Sequence, residues 1–226
     1  MIELIFEDEE VALAYRTAPA AKSVHHAWLG GLIEHVLSLC HLAKLTAAHY
    51  KQIDLDLLLA GVILHDLGKI RELSYARGFQ YTTEGQLLGH IVIGVQMVLE
   101  KLRQLPDFPP RLRDLLLHMI LSHHGEMEFG SPKVPVFAEA LLLHHLDNLD
   151  SKMECARGLV ERDRLVEGVW TGYSSALDRV LLKKQRYLEP QPAKAPEPVK
   201  TAPEAKRPAA TQSPFADKLQ SALGKE

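Results

Sequence analysis

The sequence predicts an all-α protein with a disordered, proline-rich C-terminal tail. Three observations carry that reading. Apolar residues recur at helical spacing through most of the first 188 positions. Glycine- and proline-containing breaks such as Pro106-Asp107-Phe108-Pro109-Pro110 separate the runs. No alternating run is long enough to compete as a strand, and no internal repeat is present.

The first element is a short helix, Glu7 to Tyr15, followed by an irregular stretch through Thr17-Ala18-Pro19. Leu29 to Tyr50 carries Leu29, Leu32, Ile33, Val36, Leu37, Leu39, Cys40 and Ala43 on a helical repeat. Asp54 or Asp56 starts the next helix, which runs to about Leu67 and stops at Gly68. Residues 71 to 84 read as a loop with room for a small hairpin. Helices then follow from about Gln86 to Leu105, Pro110 to His124 and Val136 to Met153, with a loop at Gly125 to Val134. One or two further helices are expected between Cys155 and Leu188.

From Pro190 to Pro214 lie seven of the 13 prolines, so residues 189–213 are expected to be a disordered Pro/Ala/Lys/Glu linker. In residues 214–226, Phe215, Leu219 and Leu223 recur at spacing four behind Ser213-Pro214. This predicts a short amphipathic helix that either frays as a free tail or docks on a protein partner or on the same chain.

The 26 basic and 29 acidic residues give a net charge of −3, which excludes gripping nucleic acid by bulk positive charge but leaves room for a local cationic site. The longest apolar run, Leu57 to Leu64, is too short to span a bilayer. The start, MIELIFEDEE, is acidic where a signal peptide is basic. Two isolated cysteines fit a reducing compartment, so a cytoplasmic protein without a membrane segment is expected. The unusual count is 12 histidines, all between residues 25 and 145.

His65-Asp66 closes a very apolar helix, with Lys69 one turn further on. A buried ionisable pair is costly unless something replaces its hydration, and a metal ion does so. His35 lies on the preceding helix, His90 on the following one, His123-His124 near the end of the next, and Asp147 after that. Helices that each bring one or two such side chains are how a bundle builds an internal metal site. His35, His65, Asp66 and Asp147 complete one position. Asp66 has two oxygens and bridges to a second ion held by His90 and His123, with His124 an additional or substitute ligand. Neighbouring residues point ~100° apart on a helix, so His123 and His124 are not expected to share a role. Imidazole with carboxylate suits Mn, Fe, Ni or Zn better than Mg or Ca. Two ions ~3.5–4 Å apart clamp a phosphoryl group and turn a bridging water into a hydroxide nucleophile. Asp66 and Lys69 are the expected catalytic residues. Lys69 either stabilises charge on a phosphate oxygen or is a helix-end lysine favoured by the macrodipole.

This set, in this order, resembles the HD-domain superfamily of metal-dependent phosphohydrolases, whose motif of His, His-Asp and a distant Asp falls on His35, His65, Asp66 and Asp147. His90 and His123 match members that carry two metals. Longer runs are similar to the YhaM-type 3′→5′ exoribonucleases, also called CMP-binding factors: Arg16 to His35, Ile120 to Glu126, Phe129 to Pro132 and Leu146 to Met153. The resemblance covers about residues 10 to 185. It implies an HD-domain helical bundle over residues 1–188 and Mn-dependent removal of nucleotides from RNA or single-stranded DNA 3′ ends. Family members usually carry an N-terminal OB-fold domain, which this chain is expected to lack. That bears on processive exonuclease action more than on phosphodiester hydrolysis.

Other residues complete the expected site. His25 and His26 either touch substrate phosphate at the pocket mouth or bond backbone at a helix start. Lys22, Arg71, Arg77, Lys133 and Lys152 sit where they can line a channel for a phosphate backbone, and Lys133 joins His25, His26 and Lys69 as a substrate-binding candidate. Trp28, Tyr75, Phe79, Tyr81 and Phe129 are candidates for stacking bases, with core packing the commoner role of any one of them. His144 is expected to bond backbone, the alternative being to orient a ligand. Asp150 either accepts from a substrate-side group or another ligand, or is a structural carboxylate near the helix end. His41, His49, His118 and His145 are expected to be structural. The predicted activity is thus phosphodiester hydrolysis with two divalent ions, Mn first, with Fe, Ni, Zn and Mg as further choices. The substrate is the 3′ end of single-stranded RNA or DNA. The alternatives are a nucleotidase or cyclic mono- or dinucleotide phosphodiesterase, and a non-catalytic HD scaffold. The chain leaves open whether it forms a homo-oligomer.

Overall fold

Polar caps start several of these helices. The computed structural model describes residues 1–21, 28–74 and 80–189, Phe129 by its backbone alone. After a short α1 (Ile2–Phe6), Asp8 accepts from the Val11 amide at 3.3 Å and opens α2 (Glu9–Thr17). The long α3 (Gly31–His49) follows. Asp54 accepts from the Leu57 amide at 3.1 Å and opens α4 (Leu55–Leu64). A turn over residues 65–68 leads into α5 (Lys69–Glu72) and a two-stranded antiparallel hairpin, β1 (Leu73–Ser74) with β2 (Gln80–Tyr81), Leu73 facing Tyr81. Thr82 caps α6 (Thr83–Leu102) by accepting from the Gly85 amide at 2.9 Å. Pro110 supplies the first residue of α7 (Pro110–Ser122), where its missing N–H costs nothing. A 3₁₀ turn (Met127–Phe129), α8 (Ala138–Arg162) and α9 (Lys184–Leu188) complete the order.

Beyond Asp56 in its first turn, helix α4 is apolar throughout, and it touches α3, α7 and α8. Its Leu58, Val62 and Leu64 are fully buried, as are Leu32 and Leu39 of α3, Met119 and Ile120 of α7 and Leu143 of α8. Each such side chain contributes about 1.5–3 kcal/mol of transfer free energy. The α4–α7 approach is close: a Cβ on Gly61 would sit 2.1 Å from Met119 Cε. Consequently His65 and Asp66 emerge from the middle of the core rather than from its edge.

The all-α class holds, with differences at the margins. The sequence pattern predicts no α1, starts α2 two residues early and α6 three residues late, and ends α8 nine residues early. Of the one or two further helices expected between Cys155 and Leu188, α9 is present, while residues 163–183 hold none. Hydrogen bonds fold that stretch as an irregular loop instead. Lys183 Nζ donates to the carbonyls of Asp163 at 3.3 Å and Val166 at 2.7 Å, and Gly172 N donates to Asp163 Oδ2 at 2.7 Å. Among the described residues no helix is long and apolar enough to cross a membrane. Met1–Tyr187 forms one compact unit. Apart from Glu189, the expected linker and C-terminal helix lie outside the described residues.

Candidate metal centre

The centre is assembled at helix ends and helix interiors together. His65 is the residue after α4, and its Nδ1 donates to the Val62 carbonyl at 2.8 Å. His123 is the residue after α7, and its Nδ1 donates to the Ile120 carbonyl at 2.8 Å. A carbonyl only accepts, so in both rings Nδ1 carries the hydrogen and Nε2 keeps its lone pair. Each histidine thereby caps a carbonyl that the last turn of its own helix would leave open. At α4 the Tyr15 hydroxyl takes the neighbouring Ile63 carbonyl at 2.6 Å.

His90 reaches the centre through a break. Gly89, at φ +71° and ψ 158°, interrupts α6, a conformation that a side chain resists. His90 therefore begins a new helical run, and its backbone N–H donates to Glu72 Oε1 at 3.0 Å. His90 Nδ1 meets the same oxygen at 3.2 Å. His35 projects from α3, where burial is nearly complete, and its Nδ1 lies 2.7 Å from Asp150 Oδ2. Asp147 and Asp150 stand three apart on α8 and so share its face.

Asp66 is the pivot, with its two oxygens facing different partners. Oδ2 lies 3.2 Å from His65 Nε2 and 3.9 Å from His35 Nε2, and Asp147 Oδ1 joins that group 3.1 Å from His35 Nε2. Oδ1 lies 3.5 Å from His90 Nε2 and 3.8 Å from His123 Nε2. His124 stands beside this second group, its ring centroid 5.2 Å from that of His90. One ligand atom each from His35, His65 and Asp66 falls within 4.8 Å of the others, and the same is true of His90, His123 and His124. All seven residues expected as ligands are thus gathered into two adjoining groups.

The donor set fits divalent cations. Nε2 of His65, His90 and His123 and Oδ1 of Asp66 are buried with no hydrogen-bond partner among the described residues. Lone pairs turned toward one another without a donor between them are costly, and a borderline divalent ion satisfies them. The local field points the same way. Burial pushes the Asp66 carboxyl up, but the Lys69 ammonium and the His65 ring outweigh it and hold the group well below the usual range. Asp147 is likewise held down against its burial, chiefly by His35. Burial and the neighbouring His65 ring keep His123 well below the ordinary imidazole value, in the neutral form a metal needs. Lys69 Nζ sits 2.7 Å from Asp66 Oδ2, and that carboxylate raises its pKa despite burial.

The remaining expected residues fall elsewhere. His25, His26, Lys22, Tyr75, Arg77 and Phe79 lie outside the described residues, as does the side chain of Phe129. Lys133 is exposed on the loop that Ser131 Oγ ties to the Leu121 carbonyl at 3.1 Å, two residues before His123. Arg71 pairs with Glu100 at 3.8 Å, and Lys152 is exposed. Trp28 Nε1 donates to Glu34 Oε2 at 3.0 Å, and Tyr81 is exposed on β2. His144 bonds backbone, its Nδ1 donating to the His123 carbonyl at 2.8 Å. Glu72 has no place in the sequence reading, which put it in a loop.

Residues 32–152 match the HD domain family. The chain is 49% identical to the 3′-5′ exoribonuclease YhaM of Bacillus subtilis (strain 168) over 146 residues, 64% of this chain and 46% of that protein. It is 45% identical to the protein of the same name from Bacillus velezensis over 166 residues, 73% of this chain and 50% of that one. For Shouchella clausii the figures are 42% over 184 residues, 81% of this chain and 55% of its relative. The chain spans about half the length of these curated relatives. No solved structure matches. The matched interval encloses every histidine and carboxylate gathered around Asp66, and the chain belongs to the HD domain family.

Proposed function

We propose that this chain hydrolyses phosphodiester bonds at the 3′ end of single-stranded RNA, and of single-stranded DNA as a second polymer, with two divalent ions, manganese first among them. The observation that carries the reading is the division of labour within Asp66, whose two oxygens face two separate pairs of imidazoles. The name of the relatives, 3′-5′ exoribonuclease, supports the choice of polymer and of end.

When bound, the ions supply Lewis acidity to the phosphoryl group and make water acidic enough to attack near neutral pH. In this reading His35, His65, Asp66 and Asp147 hold one ion, and Asp66, His90, His123 and His124 the other. Lys69 brings a fixed positive charge to Asp66 Oδ2 and offsets the charge that builds on the phosphoryl oxygens during displacement. The water oxygen ends on phosphorus, the P–O3′ bond breaks and the leaving 3′-oxygen takes up a proton. The products are a nucleoside 5′-monophosphate and a chain one nucleotide shorter. Lys133, with His25 and His26, is assigned to contacts with the phosphate backbone of the strand.

The test is a 5′-labelled single-stranded RNA incubated with the purified protein and Mn²⁺, beside mononucleotides and cyclic dinucleotides. A ladder of shortening products is expected. Turnover confined to the small nucleotides overturns the polymer assignment, and no turnover on any of them overturns the hydrolase.

A further inference from the structure

Each of the four imidazoles nearest Asp66 turns Nδ1 away from it and onto an acceptor. For His65 and His123 the acceptors are the backbone carbonyls of Val62 and Ile120. For His35 and His90 they are carboxylates, Asp150 and Glu72. The two kinds of acceptor are distributed evenly. The Oδ2 side of Asp66 has one carbonyl-backed ring, His65, and one carboxylate-backed ring, His35. The Oδ1 side has His123 backed by a carbonyl and His90 by a carboxylate.

The distinction matters chemically. A carbonyl fixes which nitrogen bears hydrogen and little else. A carboxylate also pushes electron density through the ring and strengthens the other nitrogen as a donor. Both carboxylates are themselves held. Asp150 accepts from Ser38 on its other oxygen. Burial raises the Glu72 carboxyl, but its hydrogen bond with His90 outweighs that and keeps it ionised. The Glu72 carbonyl accepts from Thr82 N at 2.9 Å. Gly85 permits this close approach, since a Cβ there would lie 2.3 Å from the Glu72 carbonyl oxygen.

We propose that Asp150 and Glu72 are positioning residues, one for each ion position: Asp150 orients His35 and strengthens it as a donor to the first ion, and Glu72 does the same for His90 and the second. The proposal rests on the two-ion reading above. Neither carboxylate contacts ion or substrate in it, and each acts through its histidine.

The experiment titrates Mn²⁺ alone, by calorimetry, into chelator-stripped protein of Glu72→Gln and Asp150→Asn, each with and without His90→Ala. Gln and Asn keep an acceptor oxygen, so the His90 amide and the Ser38 hydroxyl retain partners, and circular dichroism of the stripped variants reports the fold. Wild type is expected to bind two ions. Glu72→Gln weakens one of them ~10–100-fold and leaves the other within ~twofold, and Asp150→Asn does the converse. The His90→Ala protein keeps one ion, which Asp150→Asn weakens by the same factor and Glu72→Gln leaves alone. Equal weakening of both ions by either substitution overturns the proposal. So does an Asp150→Asn change that is silent in the His90→Ala background. A wild-type protein that binds fewer than two ions rejects the two-ion reading itself, and the proposal with it.

Discussion

Lys69 Nζ lies 2.7 Å from Asp66 Oδ2, the same oxygen that His65 Nε2 approaches to 3.2 Å. An ammonium at that point acts on whatever negative charge develops there. Lys69→Met is therefore expected to lower kcat by ~10²–10³-fold, the usual cost of deleting one electrostatic donor. Manganese affinity is expected to stay level or rise, because a competing cation has gone. Parallel calorimetry and single-turnover kinetics check this, and loss of metal binding with the rate of the loaded enzyme unchanged would refute it.

Asp66→Ala removes the carboxylate common to both groups of ligands. Elemental analysis after dialysis against Mn²⁺ is expected to fall from two ions per chain to none, and turnover to background. His90→Ala keeps one ion. A variant at position 66 that retained both ions would show that the two groups are independent.

Burial disfavours the His35 imidazolium, but the hydrogen bonds to Asp147 and Asp150 outweigh burial and raise its pKa to about 9. The unfolded value is ~6.5. After chelation, His35 thus contributes stability that is complete below ~6.5 and disappears as pH rises through about 9, on the order of 3 kcal/mol in all. Denaturant melts of stripped protein between pH 6 and 10 should show that decline, and His35→Gln should flatten it. Manganese displaces the proton, so loading at pH 7.5 should acidify a weakly buffered solution.

Gly68 lies in the turn between Asp66 and Lys69, against the broken helix α6. A Cβ there would sit 2.0 Å from the His90 carbonyl oxygen and 2.6 Å from the Gly94 amide nitrogen. Backbone on both sides leaves nothing flexible to yield. Gly68→Ala is expected to cost about 1–3 kcal/mol and to push His90 out of register with Asp66. Denaturation of the stripped protein reads the first effect, and selective loss of one manganese reads the second.

Much of the centre is legible in the chain because its ligands sit on, or just past the ends of, helices that follow one another, so order along the sequence becomes order around Asp66. The acidic run around Asp8 hides which of its carboxylates is the cap, whereas Asp54 announces a helix start. Thr82 does so less clearly, because Gly85 and Gly89 dilute the helical pattern behind it. Residues 163–183 mislead for a different reason. Their apolar side chains are largely exposed, including Leu165 at 87%, so spacing there does not report a buried face. Glu72 is hidden because its partner sits 18 residues away across a hairpin, a relationship that no local period encodes. Asp150 shows its helical register with Asp147, and an acceptor role as one alternative, in the sequence, yet its partner, His35, is fixed only when α8 meets α3.

The way α4 and α7 finish has a consequence for how the protein matures. His65 and His123 each terminate a helix with the very ring whose opposite nitrogen points at Asp66. The coordinating tautomer is therefore chosen when the helix stops winding, before any cation arrives. A newly made chain thus sets these two rings by winding its own helices, with no templating ion needed for their orientation.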